Sequence, residues 1–325
     1  MRKVIVVLAC FISVFASAQL SMGAAQPMEI AGAHLCGPLS SDCSVSLSTA
    51  STDAPGFSLR KDVSEVRVQF SVTDKSGRHI SSLSKNDFAL SDNGVPVGDL
   101  TDFREEFDLP IQVAILIDSS RSTARELPME KQLAMEFLHN LLRPQDRAMI
   151  AGFNTHPQLA GTFTSHFDEL EDSIRFIKPE GLTALNDSIF ELANRFGAST
   201  QARKVVILIS DGHDTVSART FKDAQDSVLR KDVAVYTISI NDKKSLYPAP
   251  CLAELSSQTG GHSYILKDLR NLKQAFSQID TELRTYYVAA YRAPDHDHAT
   301  FHSVNVQIAA KNLSVQNKKG YFRSE

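Results

Sequence analysis

From Gln112 to Leu283, short runs that are almost wholly apolar alternate with stretches whose apolar residues recur at helical spacing. The runs are Val113 to Ile117, Ala148 to Phe153, Val205 to Ile209, Val233 to Ile240 and His262 to Leu266. A strand apolar on both sides is one covered on both faces. Between the runs, Met129, Leu133, Phe137 and Leu141 predict a helix with one buried stripe. Ile189, Leu192, Ala193 and Phe196 predict another, further helices follow Ile209 and Ile240, and Leu269 to Leu283 forms the last. Gln158 to Phe163 reads as an edge strand. This alternation is that of an α/β unit: a doubly wound, mostly parallel sheet with helices on both faces.

On either side of that region the period changes to two. Val66, Val68, Phe70 and Val72 alternate with Arg67, Gln69, Ser71 and Thr73, as in a half-buried strand. Asp74-Lys75-Ser76-Gly77 is a turn, and Asp92-Asn93-Gly94 joins Phe88–Leu90 to Val95–Val97 as a hairpin. After Arg284, Tyr286 to Tyr291, Ser303 to Ile308 and Ser314 to Phe322 are strand candidates, broken by a polar turn and by Lys318-Lys319-Gly320. Neither piece has enough strands to be stable alone. They are therefore expected to pair, residues 61–108 and 284–325 forming one small β-sandwich into which residues 109–283 are inserted.

The chain has 325 residues, so more than one domain is the natural expectation. Arg2 and Lys3, the apolar run Val4 to Phe15 and the small residues Ala16-Ser17-Ala18 read as a signal peptide over residues 1–18. The apolar run is shorter than the ~20 residues a membrane span needs. Val7-Leu8-Ala9-Cys10 leaves a lipoprotein reading open, although few apolar residues precede Cys10. Residues 19–60 read as a Ser-, Ala-, Thr- and Gly-rich flexible leader. Loss of Arg2 and Lys3 takes the balance from 34 basic and 38 acidic side chains, a net −4, to 32 and 38, a net −6. That charge gives no electrostatic reason to bind nucleic acid or anionic lipid. Cys36, Cys43 and Cys251 would remain. Export permits a Cys36–Cys43 disulfide, with Cys251 left as a small half-buried residue.

Three polar segments stand where parallel strands should end: Asp118-Ser119-Ser120-Arg121-Ser122, Gly181-Leu182-Thr183 and Ser210-Asp211-Gly212-His213-Asp214. The carboxyl ends of the strands in such a sheet form the crevice where ligands bind. Two carboxylates and three hydroxyls are hard oxygen donors, suited to a cation such as Mg²⁺ that retains some water.

Asp118-x-Ser120-x-Ser122, a later Thr183 and the strand-terminal Asp211 resemble the metal-ion-dependent adhesion site of von Willebrand factor type A domains. Further signals are Val72-Thr73-Asp74, Gly77-Arg78, Asp87-Phe88, Asp92-Asn93-Gly94, Tyr286 to Tyr291 and Gly320-Tyr321. With these, the chain from Val66 onward resembles bacterial secreted proteins described as von Willebrand factor A-related, common in acidobacteria. The resemblance implies a von Willebrand A, Rossmann-like fold. It also implies a divalent cation on Asp118, Ser120, Ser122, Thr183 and Asp211, Mg²⁺ first and Mn²⁺ or Ca²⁺ as alternatives. One coordination position would remain for a carboxylate of a periplasmic or extracellular protein partner. Asp187 and Asp214 lie where they could orient hydroxyls or waters around it, although each taken alone reads better as a helix-surface residue (Asp187) and a cap of the next turn (Asp214). Arg121 departs from the family pattern, which has a small residue there, and its charge should weaken cation binding.

Other chemistries compete less well. The site loops of an α/β unit that has lost its metal would look similar, and a structural cell-envelope module is the alternative role. A serine hydrolase would use Ser120 or Ser122 with His213, but no Gly-x-Ser-x-Gly elbow is present. No glycine-rich turn follows the first strand to admit a dinucleotide. His296, His298 and His302 imitate a zinc site, yet their surroundings read as a solvated hairpin loop. No enzymatic activity is expected.

Overall fold

The computed structural model describes residues 65–323 apart from 76, 108, 198–201, 241–249, 294–299 and 311. The expected signal peptide, leader and Cys36–Cys43 pair lie outside the described residues, as do His296 and His298. The chain begins with β1 (Glu65–Asp74), β2 (Phe88–Asp92), β3 (Val95–Pro96) and β4 (Asp102–Glu106). The alternating region follows: β5 (Ile111–Asp118), α1 (Leu127–Leu141), β6 (Arg147–Phe153), β7 (Pro157–Gln158), α2 (Phe167–Phe176) and α3 (Leu185–Ala193). It continues with β8 (Arg203–Ile209), α4 (Phe221–Arg230), β9 (Val233–Ile240), α5 (Pro250–Thr259), β10 (Ser263–Leu266) and α6 (Leu272–Arg284). Four strands close the chain: β11 (Tyr286–Arg292), β12 (Phe301–Ile308), β13 (Leu313–Asn317) and β14 (Gly320–Phe322).

The central sheet has the order β10-β9-β8-β5-β6-β7, parallel except for β7. Alternate residues of β5 feed two cores. Val113, Ile115 and Ile117 pack with Phe137, Leu170 and Phe276 from α1, α2 and α6. Ala114 and Leu116 pack with Ile189, Val228 and Leu255 from α3, α4 and α5. Both faces of β5 are thus dry, which is why its sequence shows no alternation.

The flanking strands form two antiparallel sheets, β13-β1-β11-β4 and β14-β12-β2-β3, around a core that includes Phe70, Leu90, Tyr287 and Val306. β1, which precedes the α/β unit, is bonded on both edges by β11 and β13, which follow it. The α/β unit is therefore inserted in a small β-sandwich. Its entry and exit are clamped together. The fully buried Asp146 accepts from Ile111 N at 2.8 Å and from Arg284 Nη2 at 2.8 Å. Arg203 Nη1 donates to the last carbonyls of α6, Glu282 at 2.7 Å and Leu283 at 3.0 Å, a cation at the negative end of a helix. A third tie runs from Lys318 Nζ to Asp232 at 2.7 Å.

Several expectations are corrected. In α1 the buried stripe is Leu127, Glu130, Ala134, Phe137, Leu138 and Leu141, while Met129 is 47% exposed and Leu133 half-buried. A strict four-residue spacing drifts about 40° per step on a helix, so its two ends cannot share one face. The edge strand stops at Gln158 instead of reaching Phe163; Leu159 and Phe163 pack against the core on the α3 side of the sheet. β14 is separate from β13 because the chain changes sheets at Lys318-Lys319. Two elements were not legible. β4 is nearly all charged and pairs at an edge with β11, and α2 buries only Leu170 and Ile174.

His302 is not in a solvated loop. It is fully buried in β12, its Nδ1 2.9 Å from Asp92 Oδ1. Asp92 Oδ2 accepts from Tyr291 Oη at 2.8 Å and Tyr321 Oη at 2.9 Å. Burial and the Asp92 carboxylate raise the pKa of both phenols, keeping them as donors. Asp92→Ala leaves these buried groups without their acceptor and should cost about 3–5 kcal/mol in urea unfolding, whereas Asp92→Asn should cost less than half as much. A loss under about 1 kcal/mol for the alanine variant would mean that the network contributes nothing.

Candidate metal centre

The strand order reverses at β5, which has β6 on one side and β8 on the other. The crevice beyond its carboxyl end receives Asp118, the last residue of β5, 2% exposed. Asp118 Oδ1 accepts from Ser120 N at 2.9 Å and Oδ2 from Ser210 Oγ at 3.2 Å. The following loop turns so that Ser120 Oγ and Ser122 Oγ lie 2.9 Å apart. Thr123 Oγ1 fixes the turn by donating to the carbonyls of Asp118 and Ser120, each at 3.0 Å.

The second segment is held against the first through its backbone. Glu180 N donates to Ser119 O at 2.9 Å, and Arg121 N to Gly181 O at 3.3 Å. Gly181 has φ +69°, and a Cβ there would lie 2.2 Å from Thr155 Oγ1. Both the backbone conformation and the space require glycine. Thr183 N donates to Thr215 Oγ1 at 2.9 Å, and Thr183 O accepts from Thr215 N at 2.8 Å. Ser120, Ser122 and Thr183 line one shallow cradle of about 410 Å³, with Arg121 and Leu182 at its rim. In the third segment, Asp211 Oδ1 accepts from His213 N at 3.0 Å, and Gly212 N donates to Ser210 Oγ at 3.1 Å.

Two carboxylates of the crevice are shifted by burial. Burial raises the Asp118 pKa, and the Asp211 charge adds to the effect, while hydrogen bonds from Ser120 and Ser210 oppose it. Below it, burial pushes Glu130 up to about 8, with the charges of Asp118 and Glu126 contributing. Its Oε2 has no hydrogen-bond partner among the described residues. Glu130 meets its desolvation by holding a proton, whereas Asp118 faces the Asp211 charge, which a nearby cation would offset. The chemistry of the donors is that of a hard-ion site: Asp118 and Asp211 would supply charge, and Ser120, Ser122 and Thr183, which alone of the five line the cradle, would supply neutral oxygens. No cluster of three or more His, Cys, Asp or Glu suited to a metal occurs among the described residues, so this centre would be mainly a hydroxyl site.

Asp187 and Asp214 brace the loops, in line with the capping reading and not with a role at the cradle. Asp187 accepts from Ala218 N and Arg219 N, each at 2.9 Å, and Asp214 accepts from Asn186 N at 2.9 Å and Ser217 Oγ at 2.6 Å. These carboxylates stitch the first turn of α3 to the loop after β8, leaving the cradle hydroxyls to other partners. The sequence assigns no role to Thr215 or Glu130, and none to the Ser210 hydroxyl as a partner of Asp118. Only Glu130 had a local signal, an acid three residues after Leu127 on an apolar stripe. The Cys251 thiol is half-buried, its Sγ 3.6 Å from Gly212 O, and burial raises its pKa.

The family model for the von Willebrand factor type A domain matches residues 112–278, just over half of the chain. The chain belongs to this family. No curated protein matches it. Among solved structures, a von Willebrand factor type A protein from Catenulispora acidiphila is 13% identical with a TM-score of 0.46, over 74% of this chain and 75% of that one. The conserved hypothetical protein BatB from Bacteroides thetaiotaomicron is 15% identical with a TM-score of 0.44, over 53% and 98%. Proximal thread matrix protein 1 from the mussel byssus, with a zinc-occupied MIDAS motif, is 15% identical with a TM-score of 0.49, over 59% and 50%.

In this von Willebrand factor type A fold, Glu130 binds a proton that the unfolded chain releases near the ordinary carboxyl value of 4.5. Stability of the metal-free protein should therefore fall as pH rises from about 4.5 to 8, by up to a few kcal/mol, and then level. Glu130→Gln should flatten that slope in urea titrations across the range. An unchanged slope would mean that the carboxyl is solvated.

Proposed function

We propose that this von Willebrand factor type A chain is an exported, secreted or periplasmic binding module that holds a divalent cation, Mg²⁺ in the first instance. Through it the module recognises a carboxylate on a partner protein. Asp118, Ser120, Ser122, Thr183 and Asp211 would hold the ion. When bound, the ion supplies an electrophilic centre for an incoming carboxylate oxygen, because three of its five protein donors are neutral. The protein's own part is positioning. Thr123 fixes the serine turn, Thr215 fixes Thr183, and Ser210 orients Asp118.

The observation that carries this reading is the open cradle. Ser120, Ser122 and Thr183 converge on space that reaches solvent, with Ser122 and Arg121 exposed. The loops are already braced by protein hydrogen bonds, so an ion is not needed to shape them. That favours recognition over a stabilising role in an envelope assembly. Arg121 weakens the ion, by about 1 kcal/mol for a guanidinium roughly 8 Å away through water. It also offers a charge-assisted hydrogen bond to an acidic partner. Ser120 and Ser122 are paired with each other, and the exposed His213 reaches Asp211 through its backbone, so among the described residues no histidine is hydrogen-bonded to either serine. Export rests on the residues 1–18 pattern. Among the described residues no helix is long and apolar enough to cross a membrane.

Asp118 is more buried than a loop-rim residue, so alanine there would leave Ser120 N and Ser210 Oγ without an acceptor. Asp118→Asn keeps the shape. It should weaken Mg²⁺ or Mn²⁺ binding at least tenfold by calorimetry, while the metal-free variant melts no lower than the wild type because a desolvated charge has been removed. Unchanged metal affinity would exclude Asp118 from the site.

A further inference from the structure

Two apolar side chains stand exposed beside Thr183, on backbone that is not free to turn them inward. Leu182 is 54% exposed, its N–H held by Thr155 Oγ1 at 3.0 Å and its neighbour Gly181 held by Arg121 N at 3.3 Å. Val216 is 38% exposed, and its N–H donates to Thr183 O at 3.3 Å. Leu182 thus precedes Thr183 in the chain, and Val216 is bonded across to it. These bonds fix the backbone from which both side chains project. Exposed apolar groups scattered over a surface need no explanation. Leu182 lines the cradle together with an exposed cation, Arg121, and Val216 adjoins it through its bond to Thr183.

We infer that this rim selects the partner: a protein segment in which an acidic residue stands next to a bulky aliphatic one. The inference rests on the metal-dependent reading above. A carboxylate on the ion is a contact that any surface Asp or Glu can make, so it discriminates little. The rim supplies the difference. Arg121 favours acidic segments and disfavours basic ones. Leu182 and Val216 lose water only against a side chain large and apolar enough to cover them, and that side chain must lie within reach of the acid in the cradle. A partner offering Asp followed by Leu satisfies both requirements, and one offering Asp followed by Ala satisfies only the first. Burying about half of a leucine against a ligand leucine corresponds to about tenfold in affinity.

The test uses the full chain at saturating Mg²⁺ and blocked peptides Gly-Asp-Leu-Gly, Gly-Asp-Ala-Gly and Gly-Asn-Leu-Gly, titrated by NMR, with metal affinity measured separately by calorimetry. Asp-Leu is expected to bind about tenfold tighter than Asp-Ala. Leu182→Ser should bring that ratio close to one, Leu182→Met should keep it, and all three proteins should bind Mg²⁺ alike. Asn-Leu should bind far more weakly, and a chelator should abolish binding of both acidic peptides. Equal, chelator-sensitive affinity for Asp-Leu and Asp-Ala would overturn the rim inference and leave the metal reading standing. A preference that survives Leu182→Ser would overturn it in the same way, placing the apolar contact elsewhere. Metal binding without affinity for either acidic peptide, or Asn-Leu binding as well as Asp-Leu, would overturn both.

Discussion

A carboxylate at the end of a strand bonded on both sides has little access to water, and Asp118 is in that position, with β6 and β8 on either side and helices over both faces. Its two oxygens take one backbone N–H and one hydroxyl. That is enough to orient the group but not to neutralise it, and burial together with Asp211 raises its pKa. The loops around it follow from that constraint. Ser120 must turn back to give its N–H, which brings its hydroxyl onto that of Ser122. Ser210 must face inward, which sets Asp211 at the end of the next strand.

The rest of the chain holds that crevice at fixed geometry. Asp146 joins the strand entering the α/β unit to the helix leaving it, and Arg203 binds the end of that helix from the central sheet. The sandwich is completed only when the chain has left the α/β unit, since β1 requires β11 and β13. Its own core carries a polar knot at Asp92, His302, Tyr291 and Tyr321. The sandwich is thus built across the insertion, and Lys318 reaches from it to Asp232 at the opposite end of the sheet from the cradle.

Much of this was legible in the sequence because two periods carry it. Dry parallel strands such as Val205–Ile209 and half-buried ones such as β1 announce themselves by the presence or absence of alternation. The family motif marked the residues at the strand ends. What stayed hidden has weak local signals and strong tertiary causes. β4 is a charged edge strand whose only warrant is its partner β11. His302 read as solvated because its neighbours are polar, but its environment is set by Asp92, far away in sequence. Sequence position left Asp187 and Asp214 between a capping role and a place around the site, and the backbone amides across the crevice decide for the former. The roles of Thr155 and Thr215 depend on loops meeting in space, which no spacing rule records.

The central claim is that these five oxygen donors hold one hard divalent cation. Anomalous diffraction at the manganese edge, from crystals of the full chain grown with Mn²⁺, tests it most directly. The account predicts a single strong peak in the crevice beyond β5, in contact with the hydroxyls of Ser120 and Ser122 and lost in Asp118→Asn. A strong peak elsewhere on the chain with none in the crevice, or no peak at millimolar Mn²⁺, would contradict it.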